Sequence, residues 1–279
     1  MKDWMAVRRL LNDALCSKRV LVAVHRGCRC GNIVENTLKG LKTVWRMGGD
    51  IAELDVSASS DGVLYAFHDD MERYLLEKDV NIRELPSHEV DRMVYRNSND
   101  VPAEPVNRLE DVLCGLKGKG LINIDRAWIH WEKTLSMVER LGMADQAIVK
   151  TPVSEEYLAC LERCETPFMY MPIMKTTDEL EIVRKFRINT VGCELLFDTE
   201  DHPFLDPAFQ AELKRDGSFL WCNAITLGNS ILTAGHDDDG AITVDPVANW
   251  GWLVEHGFNV IQTDWPMLLR DFLRLRFPV

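Results

Sequence analysis

The sequence predicts one α/β domain, a single (β/α)8 TIM barrel, and three observations support that prediction. Eight short segments along the 279 residues are almost entirely apolar, and most are followed by a segment with helical, amphipathic spacing. Strands that are apolar on both faces indicate a parallel sheet whose outer face is covered by helices. The first strand is not followed by the Gly-rich phosphate loop of an open doubly wound sheet, which is the alternative. We therefore assign residues 1–279 to one domain.

The predicted elements alternate along the chain. The eight strands are expected at residues 20–24, 51–56, 121–125, 146–150, 167–171, 190–194, 218–222 and 259–263. Helical segments are expected at residues 36–47, 108–117, 129–142, 154–164, 177–186, 206–216 and 246–256, with a closing helix at 267–275. Asp206-Pro207 and Asp245-Pro246 mark two helix starts, because proline suits the first turn directly after an N-capping aspartate.

Three further segments lie outside this alternation. Residues 1–19 predict an amphipathic helix across one end of the barrel, with a surface membrane anchor as the alternative. After the second strand, a turn at 59–62 and the run 63–67 predict a small hairpin insertion, followed by a short helix near 84–93. Residues 223–245 predict a long, flexible, polar loop above the catalytic face, whose acidic run 237–239 forms a solvated turn.

Composition excludes several function classes. A net charge of −12 disfavours a nucleic-acid partner, because polyphosphate backbones are themselves anionic. No segment has the ~20 consecutive apolar residues of a membrane span, and residues 1–19 lack the features of a signal peptide. We therefore expect a cytoplasmic protein whose eight cysteines are reduced and carry no metal. Assembly into a homo-oligomer is left open.

Polar side chains gather at the carboxyl ends of the predicted strands, the end that carries the active site in this fold. These side chains are His25, Arg26, Glu53, Asp55, His68, Asp125, Lys150, Glu194, Trp221, Asn223 and Trp265. Carboxylates without a cysteine or histidine cluster favour Mg²⁺ or Ca²⁺ over Zn²⁺. Histidines suit proton transfer near neutral pH, and cationic side chains suit an anionic substrate. The set predicts metal-dependent hydrolysis of a small phosphodiester.

Five short motifs in this order resemble the glycerophosphodiester phosphodiesterase family. They read His25-Arg26-Gly27, Glu35-Asn36-Thr37, Glu53-Leu54-Asp55, Asp61-Gly62 and His68-Asp69, and a Thr-Asp-Trp-Pro run ends at Pro266. The resemblance spans residues 25–266 and implies hydrolysis to glycerol 3-phosphate and an alcohol, within lipid and glycerol metabolism. It implies His25 and His68 as the acid/base pair, Glu53 and Asp55 as ligands of one divalent cation, and Arg26 near the phosphate.

The third strand departs from the family's Glu-x-Lys pattern. It ends Asp125-Arg126-Ala127, so the resemblance implies Asp125 as the third metal ligand, while Ala127 stands in place of the lysine. We expect Lys150, at the end of the next strand, to bind the phosphate instead. Glu194, Asn223, Trp221 and Trp265 are further candidates for substrate contact.

Several alternatives stay open. A barrel with this site could form a cyclic phosphate, as phosphatidylinositol-specific phospholipase C and sphingomyelinase D do. A sugar phosphodiester could stack on Trp128, Trp221 or Trp265, although ordinary packing explains tryptophans equally well. The third alternative is a metabolite-binding barrel without catalysis. The 223–245 loop and Trp265 are expected to form the alcohol-side pocket.

Five further residues carry smaller expectations. Asn36 and Thr37 are expected to be structural, and Asp264 to anchor the last loop. Arg29 is either a solvated loop charge or a phosphate contact. His236 is expected in a solvated turn.

Overall fold

Eight parallel strands close into a barrel, which confirms the predicted fold. The structure is a computed structural model and describes residues 3–96, 101–228 and 230–278. The strands are β1 (Leu21–Val24), β2 (Ile51–Ala58), β3 (Leu64–Ala66), β4 (Val94–Arg96), β5 (Pro102–Pro105), β6 (Leu121–Asp125), β7 (Ala147–Pro152), β8 (Met169–Met174), β9 (Gly192–Leu195), β10 (Phe219–Asn223) and β11 (Val260–Thr263). The barrel order is β1-β2-β6-β7-β8-β9-β10-β11, and β11 pairs with β1 to close the ring.

Helices fill the connections between the barrel strands. They are α1 (Trp4–Ser17), α2 (Leu38–Thr43), α3 (Glu72–Leu75), α4 (Ser87–Val90), α5 (Leu109–Leu116), α6 (Trp131–Arg140), α7 (Glu155–Arg163), α8 (Glu179–Arg184), α9 (Pro207–Arg215), α10 (Asp238–Thr243), α11 (Trp252–Glu255) and α12 (Pro266–Arg276). Short 3₁₀ helices span Val44–Met47, Ile82–Glu84, Ala127–His130 and Pro203–Leu205, and a π-helix spans Val247–Gly251. The predicted Pro207 start is confirmed, since the Asp206 side chain accepts a hydrogen bond from the Ala208 amide.

The predicted hairpin insertion is present and larger than expected. Strand β3 returns antiparallel to β2, with Val56 opposite Ala66. Beyond it, β4 and β5 form a separate antiparallel pair that the sequence analysis missed. The insertion has its own small core, which includes the buried Tyr65, Phe67 and Tyr95.

Helix α1 packs against the amino-terminal end of the barrel, so docking onto the fold is the correct alternative for this segment. Leu11 is 1% exposed and lies in an apolar cluster with residues from the strand starts. Arg8 donates to Asn189 Oδ1 and to the carbonyl of Thr190 at 2.5 and 2.7 Å. Over the residues that the structure describes, no helix has the length and apolar character needed to cross a bilayer.

The expected loop at 223–245 contains one short helix, which the sequence analysis did not expect. Helix α10 lies within it, and Asp237 caps that helix by accepting from the Gly240 amide at 2.8 Å. Asp238 is 1% exposed, so the prediction of a wholly solvated acidic turn was wrong. The Asp238 carboxylate accepts hydrogen bonds from Trp250 Nε1, Thr263 Oγ1 and the Asp264 amide. Asn229 of this segment lies outside the described residues.

Candidate active site

Three carboxylates meet at the carboxyl end of the barrel. Glu53 and Asp55 point the same way because they are two apart on β2, and Asp55 is in register with Asp125 at the end of β6. One oxygen from each side chain lies within 4.8 Å of the others. We call Glu53, Asp55 and Asp125 the carboxylate cluster. Hard divalent cations prefer such a set of oxygen donors.

The state of Glu53 fits a cation at this position. Its Oε2 accepts from the Arg26 amide at 2.7 Å, whereas Oε1 is buried without a hydrogen-bond partner among the described residues. Burial and the negative charges of Asp55 and Asp125 together raise the pKa of Glu53 well above its usual value. A buried, unpartnered carboxylate oxygen is costly, and a metal ion would satisfy it. The cluster therefore fits one divalent cation.

Asp55 is held in the ionised form. Burial alone would raise its pKa, but the positive charge of Arg26 and the neighbouring His68 and His25 outweigh burial, and the pKa of Asp55 lies below its usual value. Asn36 contributes as well: its Nδ2 donates to Asp55 Oδ2 at 2.9 Å and its Oδ1 accepts from the Asp55 amide. Asn36 thus orients a predicted metal ligand, beyond the structural role expected for it.

The turn after β1 places Arg26 against the cluster. Gly27 has a φ of +73°, and a Cβ there would come within 2.9 Å of the Gly40 backbone, so only glycine fits this approach to α2. Arg26 is buried, with Nη1 2.7 Å from Glu35 Oε1 and Nε 3.1 Å from Asp55 Oδ2. Its guanidinium therefore balances negative charge beside the cluster.

His25 is oriented by a residue that the sequence analysis assigned differently. Its Nδ1 lies 3.0 Å from Asp264 Oδ1. Arg29 links this pair to the turn after β1, because Nη2 donates to Asp264 Oδ2 at 2.8 Å and Nη1 to Glu35 Oε2 at 2.5 Å. Arg29 is thus committed to two protein carboxylates, a role that neither expected alternative included, and Asp264 does more than anchor a loop.

His68 follows the hairpin strand β3, and its Nδ1 lies 2.5 Å from the Asp69 carbonyl. Burial lowers the pKa of His68, the charge of Asp55 opposes this, and the charges of Arg26 and Arg126 lower it further. The charges of His25 and His68 both lower the pKa of Asp55.

Four predicted substrate contacts form one buried chain of hydrogen bonds. Trp221 Nε1 donates to Asn223 Oδ1 and Asn223 Nδ2 donates to Glu194 Oε1, both at 2.7 Å. Lys150 Nζ donates to Glu194 Oε2 at 2.8 Å and lies 2.7 Å from Asp125 Oδ2. We call Trp221, Asn223, Glu194 and Lys150 the support chain. None is more than 5% exposed, so the chain ends on Asp125 and holds that predicted ligand in place.

The tryptophans divide into different environments. Trp221 is fully buried beneath Lys150, with Nζ 5.6 Å from its ring centre, so ordinary packing is the correct alternative and stacking on a sugar is wrong for this residue. Trp128 is partly exposed. Trp265 is 47% exposed directly after β11, where its ring remains accessible.

Two features of the site carried no strong sequence signal. Asp264 lies 239 positions from its partner His25, and only the closure of β11 onto β1 brings them together. Arg126 adopts a left-handed backbone with a φ of 55° directly after Asp125. The only sequence signal for Arg126 was that this strand end departs from the Glu-x-Lys pattern of the family.

Comparison with family profiles agrees with the motifs. The profile described as the glycerophosphoryl diester phosphodiesterase family matches residues 25–161, and one described as a domain of unknown function matches residues 169–273. No curated protein matches the chain.

Solved structures with the same fold cover nearly the whole chain. A glycerophosphoryl diester phosphodiesterase from Parabacteroides distasonis is 14% identical, with a TM-score of 0.72 over 94% of this chain and 88% of that one. One from Agrobacterium tumefaciens is 22% identical, with a TM-score of 0.64 over 90% and 98%. A phosphodiesterase from Oleispira antarctica, solved with the product sn-glycerol-3-phosphate, is 15% identical, with a TM-score of 0.65 over 90% and 95%.

Proposed function

Since this chain belongs to the glycerophosphoryl diester phosphodiesterase family and is a phosphodiesterase, we propose that it hydrolyses a glycerophosphodiester to glycerol 3-phosphate and an alcohol in a metal-dependent reaction. The observation that carries the metal-dependent part is the buried carboxylate cluster with its unpartnered Glu53 oxygen, close to two histidines.

Glu53, Asp55 and Asp125 would hold one divalent cation, Mg²⁺ or Ca²⁺. When bound there, the cation neutralises the charge of the phosphodiester and lowers the pKa of a coordinated water. The support chain keeps Asp125 in place, and Asn36 does the same for Asp55. Arg26 neutralises the cluster from the side of β1.

His25 and His68 form the proposed acid/base pair. One imidazole takes the proton of the attacking water as its oxygen bonds to phosphorus, and the other donates a proton to the alcohol oxygen as its bond to phosphorus breaks. Asp264 orients His25, because its carboxylate accepts from Nδ1 and leaves Nε2 free to face the substrate. The Asp69 carbonyl does the same for His68 Nδ1.

The alcohol part of the substrate is proposed to lie against Trp265 and the segment after β10. Trp265 is accessible, and Leu227 and Ile231 of that segment are 40% and 57% exposed, which is unusual for apolar side chains beside a polar site. These residues offer contact area without a charge. They would therefore influence which alcohol is accepted more than how tightly the phosphate is bound.

Product analysis over a panel of phosphodiesters, with a metal titration, tests the proposal. We expect glycerol 3-phosphate and free alcohol from glycerophosphocholine or a relative, with turnover abolished by a chelator and restored by Mg²⁺ or Ca²⁺. Trp265→Ala should alter the relative kcat/KM values across the panel by about 10-fold. Turnover that persists after complete chelation would refute the metal assignment. A cyclic phosphate as the end product would identify the cyclising alternative.

A further inference from the structure

The cations near the carboxylate cluster differ in their partners. Arg26 is paired with Glu35 and Asp55, Arg29 with Glu35 and Asp264, and Lys150 with Asp125 and Glu194. Lys150, which was expected to bind the phosphate, is in addition only 1% exposed, so its ammonium group contacts protein groups and not solvent. The positive charge of these three side chains is already balanced by protein carboxylates.

Arg126 stands apart from those three cations. Among the described residues it has no ion pair, and its Nε is buried without a hydrogen-bond partner. A guanidinium nitrogen that is removed from water and left unpaired costs free energy. The arrangement is understandable if an anionic ligand supplies the missing acceptor.

Arg126 lies at the end of β6, beside the carboxylate cluster. It directly follows Asp125, whose Oδ1 accepts from the Arg126 amide at 2.6 Å. The positive charge of Arg126 is near enough to His68 to lower the pKa of its imidazole. Arg126 is partly exposed, whereas the next residue, Ala127, is fully buried and has no polar side chain.

The backbone at Arg126 is unusual for this residue type. A φ of 55° and a ψ of 11° place it in the left-handed region, which is unfavourable for a non-glycine residue. Such conformations concentrate at sites where the chain must direct a side chain in a particular way. Here the left-handed residue starts the 3₁₀ helix Ala127–His130 directly after the cluster.

We propose that Arg126 binds the non-bridging phosphate oxygens of the substrate on the His68 side of the carboxylate cluster. This role rests on the proposed function for the identity of the substrate, but the anion that it requires is simply a phosphate group. Arginine suits the task because its planar guanidinium can donate two hydrogen bonds to one phosphate. Of these four cations, Arg126 is the one without an ion pair among the described residues, and we assign it to the ligand.

Three variants separate charge from backbone shape. Arg126→Asn removes the charge, and asparagine tolerates left-handed backbone, so the turn is retained. Arg126→Lys keeps the charge without the planar group. Arg140→Asn is the matched control, because Arg140 is an exposed arginine at the end of α6 whose one ion pair among the described residues is with Glu110.

The measurements are the Kd of inorganic phosphate for the Mg²⁺-loaded protein, by calorimetry, and kcat and KM for glycerophosphocholine. We expect Arg126→Asn to weaken phosphate binding by about 10- to 100-fold and to raise KM, with Arg126→Lys intermediate and Arg140→Asn unchanged. No variant should have a thermal midpoint well below that of the wild type, which shows that the fold is retained.

Wild-type phosphate affinity in Arg126→Asn would overturn the proposal. A loss of the same size in Arg140→Asn would also overturn it, since the effect would then not be specific to position 126. The phosphate measurement needs no turnover. A protein that hydrolyses no diester, yet binds phosphate through Arg126, would refute the proposed function and leave this inference standing.

Discussion

Nδ1 of His25 and Oδ1 of Asp264 lie 3.0 Å apart, and the second oxygen of the same carboxylate accepts from Arg29. Burial would raise the pKa of Asp264, but its hydrogen bond with His25 and the charges of His25 and Arg29 outweigh burial and lower it. An ionised Asp264 therefore fixes the ring orientation and the tautomer of His25.

We expect Asp264→Ala to lower kcat by about 10- to 100-fold with little change in KM, because His25 keeps its chemistry and loses its orientation. Steady-state kinetics on glycerophosphocholine measures both constants. Asp271→Ala is the control, since that carboxylate is exposed on α12. A kcat equal to that of the wild type would show that Asp264 only anchors its loop.

The carboxylate cluster makes a prediction about metal binding. Asp55→Asn or Glu53→Gln should remove a charged ligand and reduce turnover by at least ~100-fold while the fold is retained. Calorimetry measures whether the metal affinity falls, and the circular dichroism spectrum shows whether the fold is retained. Near-normal turnover in either variant with the metal still bound would contradict the ligand assignment.

The two histidines make a prediction about the leaving alcohol. His25→Ala and His68→Ala should each lower kcat by about 10²–10⁴, without a matching rise in KM, and the double variant should lose far less than the product of both factors. A substrate with a highly acidic alcohol should restore only the variant that lacks the general acid. If neither variant responds to the pKa of the leaving alcohol, the two-histidine mechanism is wrong.

Lys150 makes a prediction about stability. Burial would lower its pKa, but the charges of Asp125, Glu194 and Glu53 outweigh burial and raise it, so Lys150 is charged. Lys150→Met should cost about 3–5 kcal/mol of unfolding free energy, measured in urea with a chelator, because it leaves buried carboxylates without their counter-ion. Adding Glu194→Gln should recover part of this loss. Arg140→Ala, which breaks an exposed pair, should cost at most about 1 kcal/mol.

Asp238 makes a prediction about pH. Burial raises the pKa of Asp238 to about 7, although hydrogen bonds from the Asp264 amide, Trp250 and Thr263 oppose this. The folded protein therefore binds a proton more tightly than the unfolded chain does. Because of this difference, the contribution of Asp238 to stability falls as pH rises from about 4 to about 7.

Urea unfolding of the wild type and of Asp238→Asn at several pH values isolates this contribution. We expect the unfolding free energy of the variant to depend less steeply on pH between pH 4 and 7, whatever its absolute stability. Parallel curves for the two proteins would show that Asp238 ionises normally in the folded state.

The barrel could be predicted from the sequence because its signal is local and repeated. Each strand is an apolar run, and the prediction 121–125 agrees with β6 at both ends. The prediction 167–171 was displaced from β8, which begins at Met169 and ends at Met174, because polar and apolar residues near strand ends do not mark where pairing stops. Glu53, Asp55 and Asp125, which the sequence places at neighbouring strand ends, lie within 4.8 Å of one another, whereas the roles assigned to His25 and His68 stay predictions.

What could not be predicted depends on contacts between distant segments. Asp238 reads as part of a polar run, and only the buried donors of Trp250 and Thr263 explain why it turns inward. Glu194 and Lys150 are conspicuous at strand ends, but sequence alone cannot tell a side chain that faces ligand from one that is saturated by its neighbours. The hydrogen-bonding partners decide this, and they come from separate strands.

Helix α1 closes the barrel at the end opposite the reacting groups. Leu11 and the strand starts form a continuous apolar layer there, and Trp221 belongs both to that layer and to the support chain that reaches Asp125. Water cannot approach the carboxylate cluster through this layer, so the charges above it interact across a medium of low polarisability on one side. A cation held by the cluster would therefore be attracted more strongly than by the same residues in an open-ended barrel. Helix α1 would then contribute to cation binding at the opposite end of the molecule without contacting anything that binds there.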